Sequence, residues 1–151
     1  MQLKVGDKIP NFKVKDTNGN DFDSQEVIGQ KPLVIYFYPK DNTPGCTVQA
    51  CGFRDQYEDF TDLGAEVIGI SSDSVESHQK FIQKFQLPFK LLSDSDKKIR
   101  KLFGVPPDWF GILPGRATYV VDKTGTIIMI FDSVKAEQHI QKALEAIKGL
   151  K

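Results

Sequence analysis

The longest uninterrupted apolar run in the chain is Leu33-Val34-Ile35-Tyr36-Phe37-Tyr38, rich in β-branched and aromatic side chains and closed by Pro39. Such a run offers no polar face to water, so it reads as a strand buried on both sides. A strand of that kind needs a layer above and a layer below, and the flanking pattern supplies them. From Cys46 to Leu63 the set Val48, Ala50, Cys51, Phe53, Tyr57, Phe60 and Leu63 approximates helical spacing, with Gly64 where a C-terminal cap belongs. Ala65 to Ile70 reads as a second buried strand. Ser74, three residues before Ser77, opens a helix through Phe81, Ile82 and Phe85 that Pro88 ends. Leu91-Leu92 is a short strand and Ser95 to Phe103 a short helix. Residues 117–122 and 126–131 read as a β-hairpin across Lys123-Thr124-Gly125, and Ala136, Ile140, Ala143, Leu144 and Ile147 place a last amphipathic helix. Ahead of all these, Phe12 to Lys15 alternates and 17–20 is a turn cluster. The order predicts an α/β sandwich with a central mixed β-sheet flanked by helices.

The 151 residues suffice for one domain, read as spanning 1–151, that buries roughly 70% of the surface its unfolded chain exposes. Such a core needs no disulfide or metal staple, which leaves the two cysteines, Cys46 and Cys51, free for chemistry. Twenty basic residues against twenty acidic ones give a formal charge of zero, so the footprint that nucleic-acid binding requires is missing. No apolar run approaches the roughly 20 residues of a membrane span. Met1 to Asp7 shows neither the apolar core of a secretion signal nor the Arg-rich character of a transit peptide. A soluble cytoplasmic protein is the expectation, with a leader removed beforehand as the alternative. Only Arg54, Arg100 and Arg116 can provide a planar, permanent cation.

The segment Pro39-Lys40-Asp41-Asn42-Thr43-Pro44-Gly45-Cys46 joins the buried strand to the helix, and its end matches helix-start grammar: Thr43 at N-cap, Pro44 at N1, Gly45 at N2, Cys46 at N3. Unpaired N–H groups and the helix dipole favour an anion there, and the thiolate is the nucleophilic form of cysteine. Gly45, without a Cβ, leaves room for a small molecule beside the sulfur. Against this stands the ordinary fate of a free cysteine, that of a small buried hydrophobe. Cys51 lies five positions on, a rise of about 7.5 Å and a turn of about 140° on an α-helix, beyond the roughly 7 Å Cα limit for a disulfide. Either the pair is not a redox couple, or the turn carrying Cys46 unwinds. Cys-x4-Cys with two remote histidines falls outside the usual zinc spacings, and the Cys-x-x-Cys of dithiol exchangers is absent.

The stretch from Phe37 to Asp55 resembles the active-site segment of peroxiredoxins, of the Q or bacterioferritin-comigratory type. Pro39, Thr43 and Cys46 carry its Pro-x-x-x-Thr-x-x-Cys pattern, and Cys51 marks the Q-type subgroup. The similarity extends to Val5 to Phe12, Val67 to Ser71 and Arg116 to Asp122. It implies a thioredoxin-like fold and a peroxidase of hydrogen peroxide and organic hydroperoxides. By the same resemblance Cys46 is the peroxidatic cysteine and becomes a sulfenic acid. Cys51 is then the resolving cysteine, closing an intrachain disulfide that thioredoxin or a similar dithiol protein reduces. Thr43 is implied to hydrogen-bond the sulfur or the peroxide. Its role without the resemblance is an N-cap worth about 1 kcal/mol. Arg116 is implied to stabilise the thiolate and the charge developing on peroxide, and Pro39 to shape and shield the pocket. No metal, haem or flavin is implied, and resolution within one chain suggests a monomer.

Other residues read more plainly. Arg54, roughly 12 Å along the helix from Cys46, is assigned a salt bridge or a supporting position, and Arg100 is a weak candidate. His78 and His139 lie on predicted helices as surface or packing residues. Gly104 to Gly115, with Trp109-Phe110, either lines a substrate or reductant surface or caps the core. Two other functions stay open: a non-enzymatic thioredoxin-fold module that binds a partner through Trp109-Phe110 with inert buried cysteines, and a disulfide reductase.

Overall fold

In the computed structural model, residues 3–105, 116–132 and 136–150 are described. The strands are β1 (Lys13–Asp16), β2 (Asp21–Asp23), β3 (Leu33–Phe37), β4 (Glu66–Ser71), β5 (Lys90–Ser93), β6 (Ala117–Val121) and β7 (Ile127–Asp132). The helices are α1 (Pro44–Asp55), α2 (Tyr57–Asp62), α3 (Val75–Phe85), α4 (Lys98–Phe103) and α5 (Ala136–Lys148). The strands form one mixed sheet in the order β2-β1-β5-β4-β3-β6-β7. The apolar run at 33–38 is its central strand, and all five residues of β3 are buried. The expected α/β architecture, a central mixed sheet flanked by helices, is present.

Because side chains alternate across a strand, β3 feeds two separate cores. Val34, Tyr36 and Tyr38 face a layer built with Cys46, Ala50 and Phe53 of α1 and with α2, α3 and α5. Leu33, Ile35 and Phe37 face a second layer that includes Ile99 and Phe103 of α4 and Phe12.

Boundaries differ from expectation where a side chain intervenes. The helix expected through Leu63 breaks at Gln56 (φ −101°, ψ 5°) into α1 and α2, and Gly64, at φ 81°, takes the left-handed conformation that ends it. Neither Pro nor Gly marks the break at Gln56. On either side of it, Arg54 Nη1 donates to Phe85 O (2.8 Å) and Tyr57 Oη to Glu66 Oε1 (2.7 Å). The helix expected from Ser95 starts at Lys98, because its first amides are taken by side chains: Lys98 N donates to Asp96 Oδ1 at 3.1 Å, and Ile99 N and Arg100 N donate to the two oxygens of Asp94 at 2.9 Å. Ser74 caps α3 as its spacing predicts, accepting from Ser77 N at 3.1 Å.

One register places the functional end of the molecule. β3 runs parallel to β4 and antiparallel to β6, with Phe37 opposite both Ile70 and Ala117. The residue that precedes β6, Arg116, therefore stands beside the end of β3 from which the chain runs into α1.

Candidate active site

Five residues, Tyr38 to Asn42, carry the chain from the end of β3 to the cap of α1. Thr43 has the extended dihedrals of an N-cap (φ −94°, ψ 157°) and Pro44 occupies the first turn, so Cys46 lies in that turn as the sequence grammar predicts. The Thr43 hydroxyl neither caps the helix nor touches the sulfur. It donates to Lys40 O at 3.0 Å and closes the loop on itself. Pro39, half-buried, stands two residues beyond the end of β3, one residue further than the run 33–38 predicts.

Cys46 is 2% exposed. It belongs to the core layer of Tyr36, Tyr38, Ala50 and Phe53. The sulfur, however, has a cation on it: Arg116 Nη2 donates to Cys46 Sγ at 3.3 Å. The guanidinium, 6% exposed, is held from its other side by Gln49 Oε1, which accepts from Arg116 Nη1. Gly45 leaves space as expected, but the guanidinium takes it: a Cβ at 45 would stand 3.1 Å from Arg116 Nη2.

Gln49 is a site residue the sequence reading missed. Its signal was a polar side chain on the helix face of Cys46, Ala50 and Phe53, at the spacing i, i+3, i+4, i+7. Gln49 Nε2 and Tyr36 Oη are buried polar atoms with no hydrogen-bond partner among the described residues. Burial pushes the Tyr36 hydroxyl well above its ordinary pKa, so it stays protonated beneath α1.

Cys51, half-buried, lies on the same unbroken helix, and both cysteines are free. With α1 intact the two sulfurs cannot bond, for the geometric reason already given.

A family model described as AhpC/TSA family matches residues 5–130. Peroxiredoxin Q, chloroplastic, of Sedum lineare is 51% identical over 151 residues, 99% of this chain and 81% of the relative. The chain belongs to the AhpC/TSA family, as a Q-type peroxiredoxin. Among solved structures, peroxidoxin BcpB of Mycobacterium tuberculosis superposes with a TM-score of 0.91 at 31% identity over 99% of both chains. Xanthomonas campestris peroxiredoxin Q superposes with a TM-score of 0.83 at 32% identity over 91% of this chain and 90% of that one. The fold is thus the thioredoxin-like one of the peroxiredoxins.

The remaining candidates sort themselves around this peroxiredoxin site. Arg54 pairs with Asp55 (3.0 Å) and stays away from the sulfur. Arg100 is buried and donates to Tyr38 O at 3.1 Å. The two histidines are not on the surface. His139 lies 2.7 Å from Thr118 Oγ1 and meets Phe131 edge-on, while His78 faces Asp41 at 2.6 Å. Asp41, Asp73 and His78 bring one potential ligand atom each within 4.8 Å of one another, yet those atoms already serve hydrogen bonds within the protein. Among the described residues no helix is long and apolar enough to cross a membrane. Trp109-Phe110 and Pro114-Gly115 lie outside the described residues.

Proposed function

We propose that this chain is a thiol peroxidase of hydrogen peroxide and small organic hydroperoxides, with Cys46 as its nucleophile. The observation that carries the reading is the Arg116 guanidinium 3.3 Å from a sulfur in the first turn of α1. The Cys46 thiolate attacks the terminal oxygen of ROOH. The O–O bond breaks, its electron pair leaves with RO⁻, which takes up a proton to become ROH, and the sulfur is left as a sulfenic acid. Arg116 stabilises the anion before attack and the charge on the leaving oxygen during it. Gln49 fixes the direction of the guanidinium.

Cys51 then attacks the sulfenic sulfur, water leaves, and a Cys46–Cys51 disulfide forms. An external dithiol protein such as thioredoxin returns the two electrons by exchange. Because the intact helix holds the sulfurs apart, the first turn of α1 unwinds in this step. Thr43, whose hydroxyl is tied to Lys40 O, turns toward sulfur or peroxide only when that turn loosens. Pro39 shields the thiolate at the strand end. Resolution within one chain needs no second subunit, which suits a monomer made of one domain. Relatives named chloroplastic make an organelle as fitting a home as the cytoplasm.

Stopped-flow peroxide consumption tests the reading. Cys46→Ser abolishes it, whereas Cys51→Ser spares one stoichiometric turnover and blocks thioredoxin-supported cycling. Full activity in Cys46→Ser would end it.

A further inference from the structure

Behind the loop that launches α1 lies a buried polar cluster that the peroxide chemistry does not use. Asp41, five residues before Cys46, is 6% exposed, and His78 of α3 is fully buried. Asp41 Oδ1 accepts from Tyr38 Oη at 2.5 Å, and Oδ2 accepts from Ser77 Oγ at 2.9 Å. The same Oδ2 lies 2.6 Å from His78 Nδ1, while His78 Nε2 lies 2.9 Å from Leu92 O. The backbone N–H of Asp41 donates to Asp73 Oδ2 at 2.7 Å.

The protons of this cluster can be counted. A carbonyl oxygen only accepts, so Nε2 carries a hydrogen toward Leu92 O. Tyr38, whose hydroxyl burial holds well above its ordinary pKa, keeps its hydrogen on Asp41. The contact between Nδ1 and Oδ2 then requires one shared proton, since without it two lone pairs would face each other at 2.6 Å. Facing this pair are Tyr38 from the end of β3, Asp73 from the β4–α3 connection, and Arg100 of α4, which donates to Tyr38 O.

The connection to the site is short. The loop between Pro39 and Thr43 turns through Asn42 in the left-handed region at φ 59°, which asparagine adopts more readily than other non-glycine residues. Arg116 is held by the sheet at the start of β6, whereas Cys46 and Gln49, which it contacts, both ride on α1. Its contact with Cys46 therefore depends on where this loop delivers the first turn of α1.

We propose that Asp41 and His78 are positioning residues for Cys46: their shared proton latches the active-site loop to α3 and β5, and so holds the sulfur against Arg116. The latch rests on the peroxidase reading for its purpose and on geometry for its existence.

The test uses the full chain carrying Cys51→Ser, with the rate of Cys46 toward hydrogen peroxide and toward iodoacetamide measured at one pH well below the melting temperature. His78→Ala lowers the peroxide rate at least about tenfold, because misplacement of a reacting group is costly, and lowers the alkylation rate with it. Asp41→Asn stays within about threefold, since its amide N–H replaces the shared proton and Nδ1 accepts. A purely structural role would lower the melting temperature of both variants and leave both rates unmoved. A folded His78→Ala protein that reacts as fast as its parent overturns the proposal, and so does Asp41→Asn falling as far as His78→Ala. Should His78→Ala not fold, Ser77→Ala removes one donor from the same carboxylate, and a fall of about threefold is expected; no change would overturn the latch. A parent that ignores peroxide sinks the peroxidase reading instead, and the alkylation rates still decide the latch.

Discussion

Arg116 Nη2 lies 3.3 Å from Cys46 Sγ, and a Cβ added at position 45 would stand 3.1 Å from that same nitrogen. The glycine is thus the seat of the guanidinium. Gly45→Ala moves the cation by a few tenths of an ångström while improving helix propensity by up to about 1 kcal/mol. The expected outcome is a protein at least as stable to urea that reacts several-fold more slowly with peroxide. An unchanged peroxide rate would remove the glycine from the catalytic geometry.

Arg116 and Gln49 form a second testable pair. Gln49→Leu keeps the volume and removes the acceptor of Arg116 Nη1, leaving a buried donor unmatched at a cost of about 1–3 kcal/mol. Iodoacetamide labelling of Cys46 at neutral pH should slow by about tenfold, because a guanidinium free to turn no longer stabilises the thiolate. Arg116→Met should slow labelling further. Equal rates in all three proteins would contradict the role of the cation.

What the sequence disclosed followed from how locally each signal is encoded. β3 was legible because an all-apolar six-residue run has one physical solution, and the start of α1 because Thr43-Pro44-Gly45-Cys46 satisfies N-terminal grammar within four residues. Arg116 could be placed at the opening of a hairpin strand, but its contact with the sulfur depends on the β3–β6 register, a relation across 70 residues. His78 was legible as helical, but whether it packed or faced solvent stayed open, because the carboxylate that satisfies it, Asp41, lies 37 residues away in a loop. The break at Gln56 was invisible: no Pro or Gly marks it, and both flanking segments keep helical spacing.

The β6–β7 hairpin turn gives a pH prediction. Asp122 Oδ1 accepts from Thr124 N at 2.9 Å, Thr124 Oγ1 at 2.6 Å and Thr126 N at 3.1 Å. Slight burial pushes this carboxyl upward, but the Thr124 and Thr126 hydrogen bonds outweigh it and hold its pKa below the ordinary 3.8. A depressed carboxyl contributes stability that is present above its unfolded value and lost as pH falls through its folded one. Asp122→Asn should be less stable than the parent at pH 6, and urea midpoints of the two should converge as pH drops below about 3.8. A constant gap across that window would refute the assignment.

The second half of α1 is pinned against α5 at a glycine. Gly52, next to Cys51, admits α5: a Cβ there would meet Ile140 Cδ1 at 2.8 Å and Cγ1 at 3.0 Å. Gly52→Ala gains about 1 kcal/mol of helix propensity, but overpacking of this kind costs about 1–3 kcal/mol, so the net outcome is a loss. Ile140→Val alone removes the Cδ1 methyl and costs about 0.5–1.5 kcal/mol. In the double variant the added methyl occupies the space vacated, so the two losses should not add, and a coupling of about 1 kcal/mol should appear in the double-mutant cycle. Urea denaturation of the four proteins measures it. Simple additivity would mean that α1 and α5 are not held at Gly52, and the unwinding proposed for the first turn of α1 would then lack its fixed end.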